Sequence, residues 1–288
     1  MRWRSVTSLM IGRCAGALKP VGARVRNVGS GPVVFAEFAE NIRRAGAPGR
    51  RRQVPTVPVV VRRLPPGAVQ ALLLLGALAL CPVAALLIGD DAAAPVARGR
   101  ALIRAELALG IHVEPAVHAW ALSHPALLAL ANVFYVFAHV AVAGWALVWT
   151  WFLRRDRFTL VRDAFLWTQL LLVALYAGIP TAPPRLVPGA GFTDTLGDLW
   201  GKELADSAHV LQSPFAAMPS GHVAFALVAG ATFARLGDMA WLRAFGRLYP
   251  PLVVAVTVLT GHHLLLDAAG AAVVVACAGA LAARRSRR

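Results

Sequence analysis

The sequence predicts an all-α integral membrane protein, a six-transmembrane-helix bundle with an interfacial helix on its outer face. Two observations support this fold class. The chain is 58% hydrophobic and only 15% charged, with a mean hydropathy of +0.63, which is not the composition of an ordinary soluble domain. Its charged residues are also concentrated between long apolar runs, as in chains whose helices cross a bilayer.

Six apolar segments supply the helices of this predicted bundle. A spanning helix needs about 20 mostly apolar residues. The segments that meet or approach this length are 69–89, 127–153, 164–180, 218–234, 248–262 and 265–283. The fourth and fifth are short, and we expect these helices to be buried or to extend beyond their apolar part.

The positive charges orient the bundle. If the N-terminus is inside, an even number of spans places most Lys and Arg residues on the cytoplasmic side, where such residues are in excess. The outer side then keeps five of them, namely Arg98, Arg100, Arg104, Arg185 and Lys202. We therefore expect both termini to be cytoplasmic. The high content of Ala, Arg and Gly indicates a bacterial plasma membrane.

The predicted membrane domain, residues 66–283, lies between two basic cytoplasmic tails, 1–65 and 284–288. The first tail has no sustained amphipathic period, so we expect most of it to be disordered. It either contacts anionic lipids or only sets the orientation of the chain. Topology and this tail account for the net charge of +15, so nucleic-acid binding is not predicted. No sequence feature indicates an oligomeric state.

Polar residues near the first two spans predict structure rather than chemistry. Residues 98–121 form the predicted amphipathic helix on the outer surface, and Pro115 limits its length. Three histidines in this region are expected at the surface: His112, His118 and His124. In the second span, three residues at helical spacing share one face and predict a packing network of hydrogen bonds: Asn132, Tyr135 and His139.

The start of the fourth span, residues 218–222 (MPSGH), has the features of an anion site. Pro219 suits the first turn of a helix. The free N–H groups of Ser220, Gly221 and His222 would then face an anion at the positive end of the helix dipole. Gly221 has no Cβ, so the backbone can approach an oxygen closely. A phosphate group matches this arrangement.

Residues 260–267 (TGHHLLLD) join the fifth and sixth spans on the same face. His263 and Asp267 are four residues apart, so the carboxylate can hold one ring N–H and leave the other nitrogen as a nucleophile. His222 can act as general acid toward a leaving oxygen, since histidine titrates near neutral pH. Arg185, after two prolines beyond the third span, can bind phosphate oxygens with its fork of donors.

Two other interpretations are compatible with these residue types. Four side chains suit a zinc site, namely His222, His262, His263 and Asp267, but zinc explains neither Arg185 nor the helix start. A non-catalytic protein that binds or transports anionic lipids would also use Arg185 and the helix start. Such a protein would not need His263 aligned with Asp267.

The motifs together resemble those of the type-2 phosphatidic acid phosphatase superfamily, and more closely its inositolphosphotransferase branch, which includes inositol phosphorylceramide synthases. The resemblance covers about residues 66–283. It rests on residues 176–185 (YAGIPTAPPR), 215–222 (FAAMPSGH) and 260–267. It implies a six-helix core whose site faces outward and phosphate transfer through a phosphohistidine.

By motif position, the resemblance implies that His263 is the nucleophile, Asp267 its orienting partner and His222 the general acid and base. It implies phosphate contacts from Arg185, Ser220 and Gly221. The chain departs from the family where Thr257 replaces a frequent arginine and where Pro-Pro-Arg replaces a lysine-bearing motif. These departures favour the phosphotransferase branch and leave more of the phosphate charge to Arg185. Lys202 is a weaker candidate for compensation.

The expected substrate is a lipid phosphate or a phospholipid, because acyl chains can stay in the bilayer while the headgroup reaches His263. The acceptor is water in a phosphatase, and inositol or another alcohol in a phosphotransferase. No nucleotide-binding loop or metal motif occurs in the sequence. We therefore expect a reaction that needs no metal ion and no organic cofactor.

Overall fold

A computed structural model describes residues 66–88, 91–201 and 213–286 of the chain. Regular structure in these residues is helical, apart from one backbone bridge between Thr181 and Ala216. The predicted tail at 1–65 lies outside the described residues, as do Lys202 and residues 287–288. The α-helices of the described residues are α1 (Pro66–Ile88), α2 (Ala93–Leu109), α3 (Glu114–Leu122), α4 (Pro125–Leu153), α5 (Arg155–Gly178), α6 (Thr195–Trp200), α7 (Gly221–Leu236), α8 (Ala240–Leu259) and α9 (Leu265–Ser286).

Four of these helices are long and apolar enough to cross a membrane: α4, α5, α8 and α9. Helix α7 has 16 residues and is shorter than a full span, whereas α1 has 23 residues. Each of the six predicted segments therefore forms a helix, and at least four of these helices are long and apolar enough to span a membrane. Six membrane crossings remain a prediction.

Helix α7 lies at the centre of the described bundle and packs against α4, α5, α8 and α9. Its contact with α8 is close, because a Cβ on Gly230 would lie 2.6 Å from the backbone oxygen of Gly246. Small residues allow membrane helices to approach in this way. Since α7 is surrounded by other helices, its length is not set by contact with lipid.

The predicted start of the third span at residue 164 is wrong, because α5 already begins at Arg155. Arg162 and Asp163 lie inside this helix and are buried. Arg162 Nε donates to Asp163 Oδ1 at 2.8 Å, and Arg162 Nη1 donates to Gln70 Oε1 of α1 at 2.5 Å. Paired charges can be buried where single charges cannot, so the helix includes charged residues that precede the predicted apolar segment.

The predicted amphipathic helix at 98–121 is two helices, α2 and α3, separated by a turn in which Gly110 has a φ of 67°. The polar residues face inward: Glu106, Glu114 and His118 are buried, whereas Leu107 is 60% exposed. The expectation of a surface position for His118 is therefore wrong. Its Nδ1 donates to the carbonyl oxygen of Leu259 at 2.9 Å. His124 is exposed, as expected.

Candidate functional site

Backbone hydrogen bonds join the first two motifs beyond the end of α5. Thr181 N–H donates to the carbonyl oxygen of Phe215 at 2.7 Å, and Ala217 N–H donates to that of Thr181 at 3.2 Å. The hydroxyl of Tyr176, in the last turns of α5, donates to the carbonyl oxygen of Pro219 at 2.7 Å. The segment before α7 is therefore held against the segment after α5.

The first turn of α7 is capped by its own sequence and by the third motif. Ser220 is the N-cap, and its hydroxyl oxygen accepts the N–H of Val223 at 3.4 Å. The backbone N–H of Ser220 donates to the carbonyl oxygen of Asp267 at 3.0 Å. The prediction that this N–H is free for an anion is therefore wrong. The N–H groups of Gly221 and His222, at the first two helical positions, have no carbonyl partner within the helix.

The space beside Gly221 is limited by the side chain of Tyr176. A Cβ at this position would lie 3.1 Å from the hydroxyl oxygen of Tyr176, closer than side chains normally pack. This hydroxyl is the one that bonds Pro219. A larger residue at 221 would therefore displace the bond that positions the start of α7.

The imidazole of His263 is held at Nδ1 by two acceptors. Ala217 carbonyl oxygen lies 3.1 Å from Nδ1, and Asp267 Oδ2 lies 3.4 Å from it. The carboxylate also accepts the N–H of Leu264 at 2.9 Å. Two oxygen acceptors at Nδ1 place the proton on that nitrogen, so Nε2 of the neutral ring has a free lone pair. The expected pairing with Asp267 occurs, and a backbone carbonyl that sequence analysis missed lies closer.

His222 and His263 belong to one cluster of rings, with centroids 5.9 Å apart. The Tyr135 ring stacks on that of His222 at 3.9 Å, and the His139 ring lies 4.1 Å from it. Tyr135 and His139 were predicted as packing residues of α4, and the structure places both against His222. Their spacing on one helix face was the available signal. Asn132, on the same face, instead bonds Thr195.

Arg185 and His262 occupy the side of the site next to Tyr135. The Tyr135 ring centroid is 4.2 Å from that of His262. Burial, followed by the charge of Arg185, lowers the pKa of His262 well below its ordinary value. His262 Nδ1 lies 3.0 Å from the carbonyl oxygen of Thr260. Arg185 Nε is 3.5 Å from Asp194 Oδ1, in an ion pair without a hydrogen bond.

Three buried polar atoms around the ring cluster have no hydrogen-bond partner among the described residues: Arg185 Nε, His262 Nε2 and Asp267 Oδ1. Such atoms are uncommon in folded proteins and are available to bind a ligand. A guanidinium, two N–H groups at a helix start and a histidine nitrogen with a free lone pair can together bind and attack a phosphate ester.

A family model described as the PAP2 superfamily matches residues 100–281, which include all of α3 to α8 and most of α2 and α9. The chain belongs to the PAP2 superfamily. This membership and the apolar helices indicate a membrane protein with phosphatase-type enzyme activity on phosphate esters. Comparisons with curated proteins and with solved structures gave no match.

One departure from the PAP2 pattern lies in the last turn of α8. Thr257, at the position where many members have arginine, is buried, and its carbonyl oxygen accepts the N–H groups of His262 and His263. It shapes the turn that carries the histidines and adds no charge. Lys202, the weaker candidate for compensation, lies outside the described residues. Among the residues that can be described, the four side chains of the zinc alternative do not form a group of ligand atoms within 4.8 Å.

Proposed function

We propose that this PAP2 protein is a membrane lipid phosphatase or phosphotransferase that acts through a phosphohistidine at His263. The observation that carries the proposal is the position of Nδ1 of His263 between the carbonyl oxygen of Ala217 and the carboxylate of Asp267. This arrangement leaves Nε2 of His263 unprotonated, and the ring centroids of His263 and His222 are 5.9 Å apart. A lipid-binding protein has no need for such a tautomer.

The reaction has two steps. In the first, Nε2 of His263 bonds to phosphorus, the bond from phosphorus to the leaving oxygen breaks, and His222 gives its proton to that oxygen. In the second, a hydroxyl group attacks the phosphohistidine, its proton passes to His222, and His263 is released. With a lipid phosphate as substrate, water gives inorganic phosphate and an alcohol gives a new phosphomonoester. With a phospholipid as substrate, water gives a phosphomonoester and an alcohol gives a new phosphodiester.

Phosphate oxygens bind where donors converge. Arg185 supplies a guanidinium, and Gly221 and His222 supply the backbone N–H groups at the start of α7. Ser220 contributes its hydroxyl hydrogen, because its oxygen already accepts Val223 N–H and its own N–H bonds Asp267. The proposed phosphate contact of Ser220 is therefore made by its hydroxyl group and not, as predicted, by its backbone N–H.

The orientation follows from the ends of the helices that carry the site. His263 precedes α9 and Arg284 and Arg285 end it, so its 22 residues place them about 33 Å apart. Likewise His222 is in the first turn of α7 and Arg235 is in its last. Since Arg-rich ends face the cytoplasm, we place the site on the extracytoplasmic face of six spans, with both termini inside.

The substrate is a lipid phosphate or a phospholipid whose headgroup reaches the site from the bilayer. We place the chain in the inositolphosphotransferase branch, because Pro-Pro-Arg at 183–185 and Thr257 depart from the phosphatase pattern. The acceptor in this branch is inositol or another alcohol, and it is water if the protein acts as a phosphatase.

The test uses purified full-length protein in detergent, with a panel of lipid phosphates and phospholipids, each with and without inositol. Released phosphate and inositol-containing products are measured separately. We expect turnover of at least one lipid, with inositol either incorporated or without effect, and no turnover by His263→Ala. Binding of anionic lipids by well-folded protein that converts none of them would contradict the proposal and favour the non-catalytic alternative.

A further inference from the structure

A second cluster of ionisable side chains lies between the α2–α3 turn and the start of α9. Nδ1 of His112 is 3.0 Å from Oε2 of Glu106 and 3.3 Å from Oε2 of Glu114. Both glutamates are fully buried. The Oε1 atoms of Glu114 and Glu106 accept the N–H groups of Leu265 and Leu266, each at 2.8 Å. The proposed reaction uses none of these three side chains.

The hydrogen bonds of this cluster are incomplete. One Nδ1 nitrogen carries at most one proton, so it can donate to only one of the two carboxylates. Oε2 of Glu114 is buried, lies 3.3 Å from Nδ1 of His112 and has no hydrogen-bond partner among residues 66–88, 91–201 and 213–286. Within the described part of the chain, neither glutamate forms an ion pair with Lys or Arg. The negative charge of two buried carboxylates is therefore not balanced by one imidazole, and a further positive charge would stabilise the cluster.

The spacing of the three atoms suits coordination. Ligand atoms at about 2.1 Å from a metal ion are about 3.0 Å apart at octahedral angles and about 3.4 Å apart at tetrahedral angles. The two distances from His112 Nδ1, 3.0 Å and 3.3 Å, fall in this range, and all three ligand atoms lie within 4.8 Å of one another. The His112 side chain is 9% exposed and lies in the turn between α2 and α3.

We propose that Glu106, His112 and Glu114 bind a divalent cation. Two carboxylate oxygens and an imidazole nitrogen suit Zn²⁺ or Mn²⁺, with water completing the coordination. A divalent ion with neutral His112 cancels the charge of both carboxylates. The same two glutamates accept the N–H groups of Leu265 and Leu266. The ion therefore stabilises the position of the start of α9, which lies two residues after His263. It is a structural ion and takes no part in phosphate transfer, so the proposal stands apart from the proposed function.

The test measures ion binding by full-length protein in detergent, stripped with a chelator and then titrated with Mn²⁺ or Zn²⁺. Free Mn²⁺ is followed by electron paramagnetic resonance, and bound metal by elemental analysis. We expect about one ion per chain, at least tenfold weaker binding by Glu114→Gln and His112→Ala, and unchanged binding by the control Asp198→Asn, an exposed position in α6. A rise in melting temperature with metal should occur in the wild type and be lost in His112→Ala.

The wild-type titration alone can overturn the proposal, even if a variant fails to fold. If folded wild-type protein binds neither ion at millimolar concentration, and its melting temperature is the same with and without metal, the cluster is a proton-bridged cap of α9. Equal affinity of the wild type and His112→Ala for the metal ion would likewise show that His112 is not a ligand and that the proposed site is wrong. Neither outcome bears on phosphate transfer, which is measured separately.

Discussion

Replacing Asp267 by Asn tests how His263 is held. The change removes the negative charge 3.4 Å from Nδ1 but leaves the carbonyl oxygen of Ala217 at 3.1 Å. The amide oxygen can still accept the N–H of Leu264, which the carboxylate accepts at 2.9 Å. The tautomer of His263 should therefore persist, while the stabilisation of the developing imidazolium charge is weakened.

The magnitude follows from the strength of the lost interaction. A hydrogen bond to a charged group contributes about 1.5–3 kcal/mol, and about 1.4 kcal/mol is tenfold in rate, so Asp267→Asn should slow phosphoenzyme formation about 10- to 150-fold. Where a carboxylate alone holds the imidazole tautomer, the same exchange costs about 10⁴-fold. The Ala217 carbonyl accounts for the smaller predicted loss.

The assay is single-turnover formation of the phosphoenzyme with a lipid phosphate, with Asp198→Asn as a matched exposed control and thermal melting as a test of folding. A loss near 10⁴-fold in folded protein would show that the Ala217 carbonyl does not hold Nδ1–H. A loss under about twofold would show that Asp267 is not the partner of His263. Either result would refute this reasoning.

Three further predictions concern the phosphate contact, the acid and the topology. Arg185→Lys should lower turnover at least tenfold, because lysine lacks two parallel donors, whereas the exposed control Arg104→Lys should change turnover by no more than about twofold. Equal small effects of the two changes would show that Arg185 does not bind the phosphate. His222→Ala should slow phosphoenzyme formation roughly 10²- to 10⁴-fold and be partly rescued by a better leaving group, and an absence of rescue would argue against its role as acid. In a cysteine-free background, a cysteine at exposed Pro188 should react with an impermeant thiol reagent on intact cells, whereas a cysteine at exposed Met239 should react only after lysis. The reverse pattern would show that the proposed orientation is wrong.

The helices and the chemical residues of the site could be predicted because their signals are local. Hydropathy located each apolar segment, and the four-residue spacing of His263 and Asp267 placed both at the start of α9. The face shared by Tyr135 and His139 was likewise visible from helical periodicity. Its contact with His222 was not, because nothing in a single helix specifies which neighbour packs against it.

The errors arose where distant partners overrule local polarity. Glu106 and Glu114 look like solvent-facing residues of an amphipathic helix, but their partners are N–H groups at Leu265 and Leu266, more than 150 positions along the chain. Arg162 looks like a loop residue and is buried by Asp163 and by Gln70 of another helix. A charged side chain that is buried through a contact with another helix leaves no periodic signal in the sequence.

The most direct measurement of the central claim is to identify the phosphorylated residue during turnover. Protein that has reacted with a labelled lipid phosphate is quenched in alkali, where phosphohistidine survives, and the modified peptide is sequenced by mass spectrometry. We predict an acid-labile phosphate on His263, and neither phosphoenzyme nor turnover in folded His263→Ala. Phosphate on another residue, or full turnover by folded His263→Ala, would contradict the covalent mechanism.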